Sequence, residues 1–534
     1  MPNQALNPTH DNTGNLLFYP EQIAQGIADF RRSVNVMQDA SGRVGISTSA
    51  GASTSSHTLL ATLPPIYPEW LGDRSFQETH QLRFPYVGGA MANGITTTRM
   101  VIALAKAGMI GFFGAAGLPA EKVERAIEEL QTTLGPLGLP WGSNLIHSPV
   151  EPILEERVAE LYIKKGVRRV SASAYMQLSA AVVRYACTGL YRDSSGEVKR
   201  TNYLFAKISR PETAALFMTP APIKILTKLA QQGLLSQEEV ELAQLIPLAE
   251  DITIEADSGG HTDRQALSAI FPTIALLRDQ LSEQYKYKKP IRLGAAGGLG
   301  SPNAVAAAFS MGAAYVLTGT VNQACIESGL HESGRKNLAL AKTGDVGMTP
   351  ASDMFEMGVK LQVLKKGTLY PSRASKLYDI YTSYDSLDDI PAVIKTQLEK
   401  DIFRNSLEQV WHDTKSFWQQ RDASQLDKAA RDPKHKMALV FRSYLGLSSR
   451  WAIVGDKDRV MDYQIWCGPA IASFNQWTSG SFLQPYENRG VVQVALNLLE
   501  GAAACVRGFQ LRTYGVPVPA SAFDYRPRPL TITE

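Results

Sequence analysis

The chain has 534 residues, of which 44% are hydrophobic and 20% charged, enough for a large buried core and for more than one ordinary domain. Its 54 basic and 51 acidic residues leave a net charge of +3, which argues against a dedicated nucleic-acid surface or a polybasic membrane anchor. No apolar run reaches the ~20 residues that span a bilayer, Met1 to His10 is polar and lacks a signal-peptide core, and Cys187, Cys325, Cys467 and Cys505 show no metal-ligand spacing. A cytoplasmic protein with reduced, buried thiols and no metal is the expectation.

Residues 1–80 read as an N-terminal extension, irregular by pattern, with Ser, Thr and Gly crowded between Ser41 and Ser56. Pro64-Pro65, Pro68, Trp70 and Leu71 look like an extended strap that packs on a neighbour. Over 81–330 short apolar runs end in Gly or a small polar residue and alternate with helix-period segments. Strands are predicted at Phe84–Gly88, Met109–Gly114, Trp141–Ile146, Val167–Ser171, Tyr203–Ile208, Asp251–Ala256, Ile291–Ala295 and Ala314–Leu317. The clearest helix follows Pro119, with Val123, Ala126, Ile127, Leu130 and Leu134 on one face and proline in the first turn. Eight strands alternating with helices is the sequence form of an α/β (β/α)8 TIM barrel, with a doubly wound open sheet as its rival.

Two excursions interrupt that rhythm: Tyr191–Arg200 as a hairpin tip, and a helical insertion over about 219–247. Residues 331–390 read as a lid or connector, in which Thr343–Pro350 is loop-like. There an amphipathic helix is expected over Asp353–Lys365, with Met354, Met357, Leu361 and Leu364 on one face and Gly367 as its stop. From 391 to 534 helical periodicity dominates, with Trp411, Phe417 and Trp418 as large apolar anchors and further helices at Met437–Leu447 and Val491–Val506.

Barrel enzymes carry their chemistry at the C-terminal strand ends. The first such end is Gly88-Gly-Ala-Met-Ala-Asn-Gly94, where glycine lets backbone approach a planar ring and Met91 could pack on it, or where the turn is only tight. The third ends at Asn144, whose amide can donate and accept towards a flavin pyrimidine edge or cap a turn. Lys207, in an apolar run, needs an anionic partner such as a reduced flavin, unless it frays to the surface. The sixth strand leads into Glu255-Ala-Asp-Ser-Gly-Gly-His-Thr-Asp263. His261 is the side chain suited to move protons near neutral pH, with Glu255 and Asp257 either orienting it or serving as turn carboxylates. Ala296-Gly297-Gly298 and Gly319-Thr320 close the seventh and eighth strands as paired phosphate cradles. They suit FMN rather than FAD, because no GxGxxG follows an early strand.

Across Phe84–Gly329 these residues resemble the flavin-dependent enoyl reductase and nitronate monooxygenase superfamily of FMN barrels. The resemblance is closer to its PfaD branch, the trans-acting enoyl reductases of polyunsaturated fatty acid and polyketide synthases. Pro68-Glu-Trp-Leu-Gly72, Phe113-Gly-Ala-Ala-Gly117, Asp353-Met-Phe-Glu-Met-Gly358, Lys434-His-Lys-Met437 and Asp462-Tyr-Gln-Ile-Trp-Cys-Gly-Pro469 carry it, beside the glycine and histidine segments. The length and long C-terminal region are more similar to the polyunsaturated fatty acid version. The resemblance implies FMN bound by Gly89, Ala90, Met91, Asn144, Lys207, Glu255, Gly260, Ala296, Gly297, Gly298, Gly319 and Thr320, with NADPH as reductant. It implies His261 as proton donor or thioester-positioning group, substrates carried on acyl carrier protein domains, and a homodimer. Alternative readings are a nitronate monooxygenase-type oxidase with His261 as base, and a non-catalytic flavin-binding assembly component. An inosinate-type dehydrogenase is disfavoured, since no cysteine lies on a loop shortly after the seventh-strand glycine pair, and Cys325 comes only after the eighth strand.

Overall fold

The computed structural model describes residues 16–49, 56–148 and 152–531. The described part of the N-terminal extension holds an antiparallel sheet where an irregular segment was expected. Its strands are β1 (Leu16–Leu17), β2 (Val34–Asp39), β3 (Val44–Ser47) and β4 (His57–Leu63), in the order β1-β3-β2-β4. Val34, Val36, Ile46 and Leu63 pack on Ile23 and Ile27 of the helix Pro20–Ala28 and on Leu511, Val516 and Val518. The cover comes from the far end of the chain, so no local pattern announces it. Part of the Ser/Thr/Gly crowd, residues 50–55, lies outside the described residues. In the strap, Leu71 packs against the core while Trp70 is exposed.

All eight barrel strands form where the apolar runs place them, within two residues at each end. They are β5 (Tyr86–Gly88), β6 (Ile110–Phe113), β7 (Gly142–Ile146), β8 (Arg169–Ser173), β11 (Tyr203–Ile208), β12 (Asp251–Glu255), β14 (Arg292–Ala296) and β15 (Tyr315–Thr318). The chain adds β9 (Tyr191–Arg192) and β10 (Val198–Lys199) as the expected hairpin, and β13 (Gly260–His261) outside the barrel. The barrel strands close in parallel, β11-β12-β14-β15-β5-β6-β7-β8. This is a (β/α)8 barrel and not an open sheet. Its floor is plugged by Phe76, whose ring stacks 4.3 Å from Tyr315 and packs edge-on to Phe205. The helix Ala120–Leu134 buries the five residues expected of it, with Pro119 as its N-cap rather than within its first turn. Helices Ile223–Gln231 and Gln237–Ala243 make up the insertion.

Past the barrel the structure departs from the expected elements. Val346–Pro350, expected as loop, is strand β16; Asp353–Lys365, expected as one helix, is a turn followed by strand β17 (Lys360–Leu364). Gly358 stands at φ +71°, where a Cβ would lie 2.4 Å from the Tyr378 hydroxyl, so the chain reverses there. Leu361, Gln362, Val363 and Leu364 are all buried. With both faces covered, burial cannot distinguish a strand from a helix by periodicity. β17 pairs with β16 on one edge and β13 on the other, which lays this hairpin over the C-terminal face of the barrel.

The helical region has its own core, in which Phe355, Tyr370, Leu377, Phe403, Met437, Phe441 and Tyr444 meet. Of the three expected anchors only Trp411 packs against it, half-buried under Lys436, whereas Phe417 is 51% exposed and Trp418 lies beneath Arg442 outside that core. The Asp462 carboxylate, fully buried, gathers Arg373, Arg459 and the Tyr444 hydroxyl. The Lys434 ammonium caps the Tyr381 and Tyr384 carbonyls. These C-terminal motifs hold the helices together. Among the described residues one helix, Val491–Thr513, is long and apolar enough to cross a membrane, contrary to the expectation of none. Of its most apolar window 83% is buried inside the protein, partly against the helix Pro302–Ser310, where a Cβ on Gly501 would lie 2.6 Å from Pro302.

Candidate active site

Within the barrel mouth, β11 and β12 place Lys207 and Glu255 side by side. Lys207 Nζ lies 2.8 Å from both carboxylate oxygens of Glu255, with the two side chains 24% and 20% exposed. Lys207 thus has an anionic partner within the protein, the Glu255 carboxylate. At the end of β7, Asn144 is buried, and its Oδ1 accepts from the Ala116 N–H at 3.0 Å. Only its NH2 group remains for a ligand, where the sequence suggested an amide free to donate and accept. The Gly89–Met91 loop is braced by a residue that sequence reasoning missed: the Thr96 hydroxyl donates to Gly89 O at 2.8 Å and accepts from the Met91 N–H at 2.9 Å. Gly89 is required by close approach, since a Cβ would lie 2.6 Å from Leu317. Ala90 and Met91 are half-buried beside it.

The loop after β12 is held from several sides. The Thr262 hydroxyl accepts from the Ser258 and Arg264 N–H groups, and Asp263 accepts from Ser209 and twice from Arg210. The Arg210 hydrogen bonds hold the Asp263 carboxyl below the usual range, against its partial burial. A Cβ on Gly259 would sit 2.7 Å from Cys467 Cα, so the loop rests on the Cys467-Gly468 backbone, and Gly260 follows at φ +77°. His261 is 42% exposed, and its Nε2 lies 3.1 Å from both carboxylate oxygens of Asp353. Burial raises the Asp353 carboxyl, but the His261 hydrogen bond and charge outweigh it and hold the group below its ordinary value. Gln362 of β17 donates to Asp257 Oδ1 at 2.8 Å and to Ser258 O at 2.7 Å. Neither Asp257 nor Glu255 touches the imidazole. Asp353 does, and the helical reading of 353–365 concealed it, although its motif stood out in the sequence.

At the next two strand ends, Ala296 is a buried strand residue whose carbonyl accepts from Ala256. Gly297, at φ +84°, would press a Cβ to 2.7 Å from the Ala256 carbonyl. Gly298, at φ +72°, and Gly319 have open space where a side chain would begin, with nothing within 4 Å. The Thr320 hydroxyl accepts from the Gly468 N–H at 3.1 Å. Two adjacent strand ends thus present bare backbone to open space, which fits a phosphate. Three residues other than glycine with positive φ, Asn93, Ala174 and Arg264, also fall on loops at this face. Backbone strain of that kind gathers at functional sites.

A parallel eight-stranded barrel with a cation–carboxylate pair in its mouth, bare glycine turns on two neighbouring strands and a histidine at the rim has the build of a ligand-binding barrel. Residues 75–378 match the nitronate monooxygenase family, and residues 384–463 match the inserted helical domain of [acyl-carrier-protein] S-malonyltransferase. The chain is 47% identical over 467 residues to a polyunsaturated fatty acid synthase protein of a Thraustochytrium species, covering 86% of this chain and 31% of that protein. Polyketide biosynthesis protein PksE of Bacillus subtilis is 42% identical over 438 residues, covering 82% of this chain and 57% of that protein. The chain thus spans less than two thirds of either relative. The crystal structure of the enoyl reductase domain of MlnA, from the macrolactin cluster of Bacillus amyloliquefaciens, superposes with TM-score 0.79 at 38% identity, covering 83% of this chain and 99% of that one. The chain belongs to the nitronate monooxygenase family, grouped with this polyunsaturated fatty acid synthase protein, PksE and the MlnA enoyl reductase domain.

Proposed function

We propose that the protein is an FMN-dependent enoyl reductase that acts in trans on 2-enoyl thioesters carried by acyl carrier protein domains of a polyunsaturated fatty acid or polyketide synthase. NADPH is the reductant, and the setting is a cytoplasmic homodimer. The observation that carries this reading is the likeness to the MlnA enoyl reductase domain, over nearly the whole length of that domain. Bound FMN would supply hydride transfer from NADPH to the β-carbon of the enoyl thioester. The backbone N–H groups at Gly298, Gly319 and Thr320 would hold its phosphate, and the Asn144 NH2 group would donate to its pyrimidine edge. The Gly89–Met91 loop would flank its ring. Lys207, neutralised by Glu255, keeps a cation in the mouth without a net charge, so it can respond to negative charge arriving there. His261, at the rim, delivers the proton to the α-carbon.

An absorbance spectrum of the purified protein tests this directly. Flavin bands that bleach with NADPH and return with an enoyl thioester support the reading; released cofactor containing adenine overturns FMN. The family match also favours a second reading, a nitronate oxidase with His261 as base. Oxygen uptake with a nitronate, together with no return of the bands on adding an enoyl thioester, would establish that one instead.

A further inference from the structure

Among the described residues the His261 imidazole makes one side-chain hydrogen-bonding contact, with a residue from outside the barrel. Asp353 stands in the turn between β16 and β17, and both its oxygens lie 3.1 Å from His261 Nε2. A carboxylate only accepts, so this contact requires the hydrogen on Nε2. Among the described residues Nδ1 has no hydrogen-bond partner. The arrangement is fixed on both sides. His261 pairs with Leu361 and Gly260 with Gln362 across β13 and β17, and the Gln362 side chain ties Asp257 and Ser258 to the same strand. The second carboxylate of the turn, Glu356, is engaged elsewhere, 3.0 Å from Arg442 and 3.8 Å from the His435 ring. One carboxylate of the turn therefore faces the helical region and the other faces the histidine.

We infer that Asp353 is the positioning residue for His261: it holds the imidazole in the Nε2–H form and leaves Nδ1 as the nitrogen that exchanges a proton with substrate. This rests on the proton-donor role proposed above. Bound FMN, reduced by NADPH, would supply the hydride that adds at the β-carbon. The Nδ1–H bond of the imidazolium breaks, a C–H bond forms at the α-carbon, and the neutral Nε2–H ring left behind takes its next proton from water. Because Asp353 belongs to the post-barrel hairpin, the barrel alone would carry the histidine without its orientation.

The test uses Asp353→Ala, Asp353→Asn and Asp353→Glu in the full chain. Asp353 is 60% exposed, so these variants should fold, and matching thermal melts would verify it. Nitrogen-15 spectra of histidine-labelled protein read the tautomer without any turnover. The wild type should show a single Nε2–H form for His261, the alanine variant a mixture of both forms, and the glutamate variant a return towards one. In rapid mixing, flavin reduction by NADPH should change less than about twofold in Asp353→Asn. Its reoxidation by an enoyl thioester should slow by roughly tenfold or more, short of the ~10²–10⁴ expected for losing the acid itself. An unchanged tautomer in Asp353→Ala overturns the inference, as does an equal loss in both half-reactions. If His261→Ala reduces enoyl thioesters at the wild-type rate, the proton-donor role fails, while the spectra still decide whether Asp353 orients the ring.

Discussion

Both ends of the barrel carry ionic groups, and they are built in opposite ways. At the floor, Asp251 receives Arg292 through two hydrogen bonds of 2.7 and 2.8 Å and His80 at 2.9 Å. Arg200 meets Glu250 at 3.0 Å, and none of these side chains is more than 8% exposed. At the mouth, Lys207–Glu255 and His261–Asp353 are open to solvent by a fifth to more than half. A buried pair must satisfy its own lone pairs and protons, because water cannot. A pair at a rim leaves hydrogen-bonding capacity for a ligand and contributes little to stability. The floor should therefore govern folding and the mouth chemistry, the usual division in such barrels.

The largest expected effect tests the floor. Arg292→Met leaves Asp251 buried without its bidentate partner and should cost about 3–5 kcal/mol of unfolding free energy, measured by denaturant titration, while the folded fraction keeps its flavin. A loss below about 1 kcal/mol would erase the contrast between the two ends. His261→Ala is the reverse case: it should keep flavin and change stability by no more than about 0.5 kcal/mol, yet slow enoyl reduction by about 10²–10⁴. Gly298→Asp sets a carboxylate, and a strained positive φ, where the phosphate would lie, and should weaken flavin binding by at least about tenfold. Full flavin content in that variant would show the cradle to be elsewhere.

A smaller effect follows from protonation. Burial lowers the pKa of His80 despite Asp251 beside it. Burial also pushes the Asp251 carboxyl up, but Arg292 and His80 outweigh that and hold it well below its ordinary value. As the pH falls through about 6.5 the unfolded chain binds a proton at His80 that the folded chain takes up only at lower pH. The stability present above about pH 6.5 should then fall by at most about 1.4 kcal/mol per pH unit, and Asp251 should add its share only below about pH 4. Thermal melts across that range should show the slope, and His80→Gln should flatten it. The smallest effect concerns the 352–358 turn, where Met357 is 70% exposed. If the turn lines the path of the acyl chain, Met357→Trp should slow long enoyl thioesters a few-fold more than short ones. Equal slowing at every length would confine the turn to positioning Asp353.

The barrel was legible because each strand is a short, doubly covered apolar run with a helix-period segment after it, as in Ile110–Phe113 before Ala120–Leu134. The candidate site was legible as far as it depends on local backbone: Gly297-Gly298 and Gly259-Gly260-His261 announce turns that require glycine, by positive φ or close approach, and Gly319-Thr320 marks a bare strand end. The partners of those groups were not. Lys207 meets Glu255, Asn144 spends its carbonyl on Ala116, and His261 finds Asp353 across 92 residues. Spacing along the chain carries no information about such pairings.

The same boundary separates the two misread segments from the rest. Met354, Met357, Leu361 and Leu364 satisfy a helical period, but burial of both faces of β17 and the reversal at Gly358 make the segment a turn and a strand. Residues 16–63 read as a connection because the helix Val491–Thr513 and the tail after it, which complete their core, lie more than 400 residues away. By itself the sequence determined the order of barrel strands, the glycine turns and the histidine, since each depends on burial periodicity or on a conformation confined to a few consecutive residues. Tertiary structure alone decided which carboxylate holds that histidine and which surfaces become sheet, because a pairing or a covered face exists only when distant segments meet.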